Sequence, residues 1–389
     1  MPVTARGTFA GDCPVTGDST SDTPSSLALT PLNALHRELG GKLVPFAGYE
    51  MPVQYPAGIL KEHLHTRAQA GLFDVSHMGQ LRLTGDNPAA ALEALVPGDI
   101  RGLGLKRTRY SLLLNEAGGV LDDLMITNAG DHLFLVVNAA CKQADIAHLR
   151  ARLAGAVEVE YLKDRALLAL QGPTAAAVLE RFVPGAATMP FMSYAEGSIA
   201  GIPVLLTRSG YTGEDGHEIS IPNDRAEEVA RLLLAQEGVA PVGLGARDSL
   251  RLEAGLSLYG HELDETTTPV EAALVWAIGK RRRSEGGFPG FGVIGRQLTE
   301  GTKRRRVGIR PDGRAPARDG TPILDEAGRP IGTITSGGFG PSVNAPIAMG
   351  YVATSRAATG TRVTLVVRGK PLPATVVDLP FVKQNYYRG

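Results

Sequence analysis

The sequence predicts an α+β fold that closes with a separate β-rich domain. Three observations carry that expectation. Between Leu32 and about Leu256, segments with apolar residues at helical spacing alternate with segments of period-two patterning. From about Ile309 onward, glycine, proline and β-branched residues dominate, short strands recur and helix signals nearly vanish. With 389 residues, the chain is also long enough for more than one hydrophobic core.

Composition excludes several function classes. The 43% hydrophobic and 21% charged content is that of an ordinary globular protein. Forty basic residues balance forty acidic ones, so no global field gathers polyanions, and nucleic acid is not an expected partner. Two KRRR runs, Lys280 to Arg283 and Lys303 to Arg306, read as solvated loop faces, with an acidic partner or an anionic ligand tail as the alternative. Cys13 and Cys141 allow one disulfide at most and no thiolate metal cluster, which fits a reducing compartment. Residues 1 to about 28, rich in Ser, Thr, Asp and Pro, read as a disordered leader. Its three aspartates argue against a transit peptide, no later segment is long enough to span a bilayer, and cytoplasmic residence is expected.

The elements follow in order. LNALHRELGG places Leu32, Leu35 and Leu39 at helical spacing ahead of a glycine stop. The aromatic, proline-bearing VPFAGYEMPVQY suits a cleft-lining loop or aromatic packing around a turn. Residues 60–71 read as helix, FDVSHMGQLRLTG as a pair of strands, and AALEALVPG as a short helix. In RYSLLLNEAGGVLDDLMITNAGDHLFLVVNAA, two extended runs flank the tight turn NAGD, as in an antiparallel hairpin. A helix over ADIAHLRARLAG follows, then extended VEVEYLKDRALLALQGP, a further helix and extended GIPVLLTRSG. NDRAEEVARLLLAQEG is a helix with Asn223 as candidate cap, an acidic first turn and Gly238 as stop. GARDSLRLEAGL, 245–256, is helical and brings Arg247, Arg251 and Ala254 near one another.

Familiar motifs are missing. No GxGxxG follows a strand and no GxxxxGK[ST] is present, so flavin or nicotinamide on a Rossmann unit is not expected. HELDE at His261 lacks the second histidine of a zinc protease, and no metal site is expected. His77 neighbours Ser76, but adjacent strand residues point apart and no nucleophile elbow exists.

What remains is a set of polar residues in costly places. Asp122 and Asp123 sit within an apolar run, where consecutive strand side chains face opposite ways. One acid can face a cavity while the other is satisfied by a backbone amide, an arginine or solvent, and spacing does not decide which is which. An unpaired carboxylate there would be expensive to bury, so it either takes a partner or meets a ligand that becomes cationic. SGYTGEDGHEI uses three glycines to gather Tyr211, Glu214, Asp215 and Glu218, as a polar network or a ligand cradle. In GLGARDSLRLEAG, Arg247 can grip a carboxylate with its planar fork, with Asp248 or Glu218 as the protein's own candidates.

Taken in order, VPFAGYEMPVQY, FDVSHMG, RYSLLLNEAGGVLDDL, NAA at Asn138, LALQGP, RSGYTGEDGHEI, GLGARDSLRLEAGLSLYG, TPVEAALVW, TSGGFGPSVNAPIAMGYV and PFVKQNYY resemble the T-protein family of the glycine cleavage system. The resemblance runs from about Leu32 to Tyr387. It implies a three-domain cloverleaf around a central folate channel. The expected division is a leader over 1–30, two interleaved α+β domains over 31–310 and a β-barrel-like domain over 311–389. It implies tetrahydrofolate as acceptor co-substrate, with no metal, and the lipoylated H protein as partner and aminomethyl donor, with no membrane role. By the same resemblance Asp123 is the catalytic acid, and Tyr110, Asn138, Tyr211, Glu218, Arg247 and Tyr386 hold folate. Glu218 and Arg247 would grip the pterin and Asp248 would orient them. Thr127 and Met192 stand where some relatives carry tyrosines. The rival enzyme reading is a folate-dependent demethylase module acting on another one-carbon amine donor.

Overall fold

The computed structural model describes residues 26–389, so most of the expected leader, and Cys13 with it, lies outside the described residues. The chain lays one strand, Ala70–Asp74, into a first sheet and then leaves it. It builds a five-stranded sheet in the order Thr108–Leu114, Val120–Asn128, Leu133–Val137, Gly79–Gly85, Val157–Tyr161. It then returns, and Arg165–Gln171 pairs antiparallel with Ala70–Asp74. Gly216–Pro222, Ile202–Thr207 and Tyr194–Ile199 extend that sheet on one side, while Val239–Pro241 joins Ala70–Asp74 in parallel on the other.

This topology corrects one expectation. FDVSHMGQLRLTG does yield two strands, Ala70–Asp74 and Gly79–Gly85, but they belong to different sheets and never pair. Alternation specifies a strand and its buried face; the partner is chosen by long-range register, which a local pattern does not carry. The hairpin around NAGD does form, with Leu124 opposite Val137 and Asn128 opposite Leu133.

Helix ends follow local chemistry less closely. Asn223 does not cap the helix Ala226–Leu234; its amide donates to the Lys163 carbonyl at 3.1 Å, and Asn223–Arg225 forms a 3-10 turn instead. Glu227 and Glu228 still place acidic charge at the amino end, where the helix dipole favours it.

The β-rich C-terminal region is a closed barrel in the order Arg304–Pro311, Ala345–Ala353, Pro330–Gly340, Pro322–Leu324, Arg362–Val367, Lys370–Val377. Closure leaves no unpaired sheet edge. Its interior is filled by Val307, Ile309, Ile323, Ile334, Val352, Leu365 and Val376.

The two KRRR runs are solvated faces only in part. Arg281 binds Glu93 at 2.6 Å and Asp99 at 2.8 Å. Arg282 donates to the Glu93 carbonyl at 2.8 Å, and Arg283 to the Val275 carbonyl at 2.7 Å. At the barrel entrance, Arg304 pairs with Glu271 at 3.2 Å, and buried Arg306 donates to the carbonyls of Ala272 at 2.9 Å and Gly255 at 3.0 Å. These guanidiniums bind loop carbonyls and acids that the chain brings from a distance, so composition alone misreads them. Lys280, Lys303 and Arg305 stay exposed.

The helix Leu244–Glu253 packs against the helix Ile59–Ala68, the strand Tyr49–Gln54 and the barrel strand Pro330–Gly340. At its end the Glu253 carboxylate is fully enclosed and takes His63 at 3.0 Å, Arg67 at 3.0 Å and the Ser342 amide at 2.7 Å. Burial alone would raise its pKa. The bonds from His63 and Ser342 and the Arg67 charge outweigh that and hold it at about 2. Its contribution to stability is therefore present above an unfolded-state pKa of roughly 4.3 and is lost as pH falls toward 2. Glu253→Ala takes the buried carboxylate from His63 and Arg67, leaving Arg67 to Glu214 and His63 to its serine partners, and should destabilise the protein by about 1–3 kcal/mol in denaturant titrations. A loss below about 1 kcal/mol would show that this cluster does not hold helix to barrel.

Candidate active site

The strand Val120–Asn128 pairs with Thr108–Leu114 so that Leu113 lies opposite Asp122, Leu112 opposite Asp123 and Tyr110 opposite Met125. Residues opposite one another share a face, so Asp123 looks out beside Tyr110, Leu112 and Met125. Asp122 turns to the other face with Leu113, Leu124 and Ile126, which belong to the hydrophobic core of this sheet. Asp122 is wholly buried, whereas Asp123 is half-buried.

One residue serves both acids. Asn138 follows the neighbouring strand Leu133–Val137 and sits beside the pair. Its backbone N–H donates to Asp122 Oδ2 at 3.0 Å, and its side-chain Nδ2 donates to Asp122 Oδ1 at 2.9 Å and Asp123 Oδ1 at 2.6 Å. The Asp123 carbonyl, at 3.2 Å, competes for the same two hydrogens. Asp145 adds a further hydrogen bond to Asp122. Of the three partners open to the inward acid, a backbone amide, an arginine or solvent, the structure shows the first, and it belongs to Asn138.

Burial and, after it, the neighbouring Asp122 charge push the Asp123 carboxyl up to about 7; hydrogen bonds from Tyr110 and Asn138 only partly offset this. Burial raises Asp122 as well. Such a pair titrates as a unit, with one member readily held protonated near neutrality. Burial, followed by the Asp123 charge, keeps the Tyr110 phenol well above its usual range, so its hydroxyl acts as a donor to Asp123.

The second group comes from the other sheet. The Ser209–Gly216 loop turns through Gly213 at φ +77°, where an added Cβ would lie 2.7 Å from the Ala254 Cβ. Tyr211 donates its hydroxyl to the Ser257 carbonyl, and the Arg247 guanidinium carbon lies 5.0 Å from the centre of its ring. Glu218, on the strand Gly216–Pro222, accepts from the Ser209 hydroxyl at 2.6 Å. Burial depresses the Arg247 pKa against the favourable charges of Glu218 and Tyr211. Its Nη1 is buried yet finds no acceptor among the described residues. A buried guanidinium N–H without a partner is costly, and a ligand acceptor would relieve it.

The remaining acids of this region have protein partners. Glu214 takes Arg67 at 2.9 Å and Asn385 at 3.1 Å, and Asp215 takes Arg208 at 2.9 Å. Asp248 accepts from Arg251 at 2.8 Å, so its carboxylate serves that arginine rather than Arg247. The glycine-rich segment is therefore both a polar network, through Glu214 and Asp215, and a half-exposed face, through Tyr211 and Glu218, with Arg247 of the following helix beside it.

Tyr386 stacks on Phe191 with ring centres 4.0 Å apart and planes at 6°. The preceding Asn385 N–H bonds the Gly213 carbonyl at 2.8 Å, which draws the C-terminal segment to the Tyr211 loop. Asp123 and Tyr211 lie close enough to influence each other's charge, so the two groups share one region. Thr127 is buried, with its hydroxyl 2.9 Å from that of Thr108. Met192 is half-buried at a positive φ of 61°. His77 is buried, and burial lowers its pKa to about 4; Ser76 bonds the Leu167 carbonyl at 3.3 Å, so the two form no nucleophile–base pair. Sequence reading missed Ser209 as the holder of Glu218 and Trp276, whose ring lies 5.2 Å from that of Tyr110. The unique tryptophan was the available signal for the latter.

Comparison with known proteins agrees with this architecture. Residues 32–282 match the family model described as the GCVT N-terminal domain, and 304–383 match the glycine cleavage T-protein C-terminal barrel domain. The chain is 49% identical to a Dictyostelium discoideum protein named mitochondrial aminomethyltransferase, covering 93% of this chain and 94% of that one. It is 48% identical to the Gallus gallus protein of the same name, covering 94% and 95%. The crystal structure of the glycine cleavage system aminomethyltransferase T from Bartonella henselae superposes with a TM-score of 0.89 at 47% identity, covering 93% of this chain and all 100% of that one. A half-buried acid on a paired strand, a closed C-terminal barrel and these likenesses over nearly the whole length converge: the chain belongs to the T-protein family of the glycine cleavage system, whose activity is aminomethyl transfer.

Proposed function

We propose that the chain moves the one-carbon unit from the aminomethyl-dihydrolipoyl arm of the H protein to tetrahydrofolate, giving 5,10-methylenetetrahydrofolate, ammonia and the reduced arm. The observation that carries this reading is Asp123: a carboxylate raised to about 7, held by Asn138 and Tyr110, on the same region as a buried Arg247 with an unsatisfied N–H. Arg247 and Glu218 offer a donor and an acceptor to a pterin edge, and Tyr110, Tyr211 and Tyr386 offer rings beside it.

The donor carbon is bonded to sulfur and to nitrogen. Folate N5 attacks it, one of those bonds breaks, and loss of the second leaves an iminium that N10 closes. The two protons given up by N5 and N10 leave with the thiol and the ammonia, so atoms and charge balance. Asp123 offers a preorganised negative charge where the cation develops and a site through which a proton can pass. Its partial enclosure limits capture of the iminium by water. Holding folate next to the carbon replaces a bimolecular encounter with a local one. Asp248, expected to orient Glu218 and Arg247, binds Arg251 instead and has no part in the proposed pterin grip.

Among the described residues no helix is long and apolar enough to cross a membrane. Cytoplasmic residence, supported by the acidic leader, is part of this proposal, while the slime mould and chicken relatives are named mitochondrial.

Asp123→Asn should cut turnover by roughly 10²-fold or more in an assay with aminomethylated carrier, with folate binding and folding retained; near-parental turnover at saturating folate would remove Asp123 from this role. Arg247→Ala should act chiefly on folate affinity, read by calorimetry, and unchanged affinity would count against the grip assigned to it. Because Asp123 works as the carboxylate, kcat/KM should fall as pH drops through about 7. Asn138→Ala removes a bond that lowers that pKa, so the acid limb should move to higher pH, and an unmoved limb would contradict the shared-donor arrangement. The same raised pKa makes the folded state hold an extra proton between roughly pH 4 and 7, so this residue's contribution to stability declines as pH rises through that window.

A further inference from the structure

We propose that Asp145 is a positioning residue for the catalytic acid: it carries a proton and donates it to Asp122, so that the buried pair bears a single negative charge beneath Asp123. The inference rests on the role given to Asp123 above and adds a third acid to that site.

Asp122 turns to the face of its sheet that carries Leu113, Leu124 and Ile126, and the helix Lys142–Leu153 covers that face with Ile146, Leu149 and Leu153. Asp145 precedes Ile146 on this helix and is 3% exposed, while Asp122 is 0% exposed. The two side chains are hydrogen-bonded. Carboxylates offer only acceptors, so a hydrogen bond between two of them requires one proton.

The remaining bonds say which acid holds it. Asn138 donates its backbone N–H to Asp122 Oδ2 at 3.0 Å and its side-chain N–H to Asp122 Oδ1 at 2.9 Å. Both oxygens of Asp122 thus accept, an arrangement that favours the ionised form. The proton then belongs to Asp145, whose O–H completes the donors around Asp122. The first turn of a helix favours negative charge at Asp145, but that gain is smaller than the cost of burying a second negative charge beside the first. Other polar groups nearby do not reverse this. The strand Thr108–Leu114 presents Leu113 opposite Asp122, and its Tyr110 bonds Asp123. Lys142, one turn earlier on the helix, gives its ammonium to the Tyr49 hydroxyl at 2.6 Å and the His77 carbonyl at 2.8 Å. Burial and, after it, the Arg152 charge disfavour the cationic form of His148, one turn later.

The consequence reaches Asp123 through Asn138. A charged Asp122 fixes that amide, whose Nδ2 also donates to Asp123 Oδ1 at 2.6 Å. One negative neighbour already raises the Asp123 pKa. A second would raise it further and keep the acid protonated where the chemistry needs the carboxylate. Asp145 therefore acts through Asp122 and Asn138, not on the ligands.

The test combines isotope-edited infrared spectra of protein labelled with carbon-13 aspartate and the pH profile of kcat/KM in the aminomethylated-carrier assay. At about pH 8, above the Asp123 midpoint, the parent should show the carbonyl band of a protonated carboxyl group, and Asp145→Asn should lose it. Asp145→Asn keeps an N–H donor for Asp122, so it should leave the acid limb in place with turnover within about threefold of the parent. Asp145→Ala removes the donor. The lost bond is one that lowers the Asp122 pKa, so Asp122 takes the proton and Asp123 loses a negative neighbour. The acid limb should then move to lower pH, with turnover down roughly tenfold. That shift is opposite in sign to the one expected for Asn138→Ala, and a loss of structure alone would not produce it. A parent without the band, a band that survives in Asp145→Asn, or an acid limb shifted alike in the Asn and Ala variants overturns the proposal. If Asp145→Ala fails to fold, the band and the Asp145→Asn profile still decide. Near-parental turnover of Asp123→Asn would remove the catalytic reading instead, and the band would still show whether the buried pair holds a proton.

Discussion

The site depends on one amide placed between two carboxylates. Consecutive side chains on a strand diverge, so Asp122 enters the core and Asp123 looks outward. Neither would be tolerated there alone. Asn138 reaches both from the end of the next strand, and its backbone N–H completes the coordination of the buried member. Leaving any of these groups unpaired would cost the desolvation of a charge or an amide. Strand register, the tight turn at Ala129–Gly130 and the core beneath are thereby tied to the electrostatics of Asp123. Its pKa is raised by burial first and by the neighbouring Asp122 charge second, against the bonds from Tyr110 and Asn138.

Chain routing supplies the rest. Because the five-stranded sheet is inserted between Ala70–Asp74 and its partner Arg165–Gln171, the two sheets are built from interleaved sequence. Tyr211, Glu218 and Arg247 come from the first sheet and the helix after it, whereas Tyr110, Asp123 and Asn138 come from the second. Arginines that looked like surface charge hold the intervening loops: Arg283 grips the turn around Trp276, and Arg306 joins the barrel to the Gly255 and Ala272 carbonyls. At Glu253, a carboxylate with three donors holds two helices and a barrel turn together. The stabilising acid Glu253 and the proposed catalytic acid Asp123 use the same device, several donors on one enclosed carboxyl group. They differ in outcome because Glu253 meets cationic partners while Asp123 meets an amide, a phenol and another acid.

Much of this was legible in the sequence. Helical spacing located Leu244–Glu253, the loss of helix signals located the barrel, and the paired acids in an apolar run marked a place where one acid is buried and the other faces out. Partner choice was not legible. Ala70–Asp74 and Gly79–Gly85 carry the pattern of a hairpin yet join different sheets, since alternation records burial and not neighbours. Asn223 has the chemistry of a cap but finds the Lys163 carbonyl first. Glu214, Asp215 and Glu218 are alike in sequence, and the positions of Arg67 and Arg208 separate the first two from Glu218, which takes the Ser209 hydroxyl. Asp248 follows Arg247 but faces Arg251, three residues on, as helical geometry favours.

A site-resolved titration of the Asp123 carboxyl by carbon-13 NMR bears most directly on the role of this residue. In the free protein the resonance should titrate near pH 7, and on binding a reduced folate bearing positive charge at N5 the midpoint should move well down, because a cation beside the group favours its ionised form. A midpoint in the ordinary carboxylate range that stays put when such a ligand binds would contradict the role assigned to Asp123.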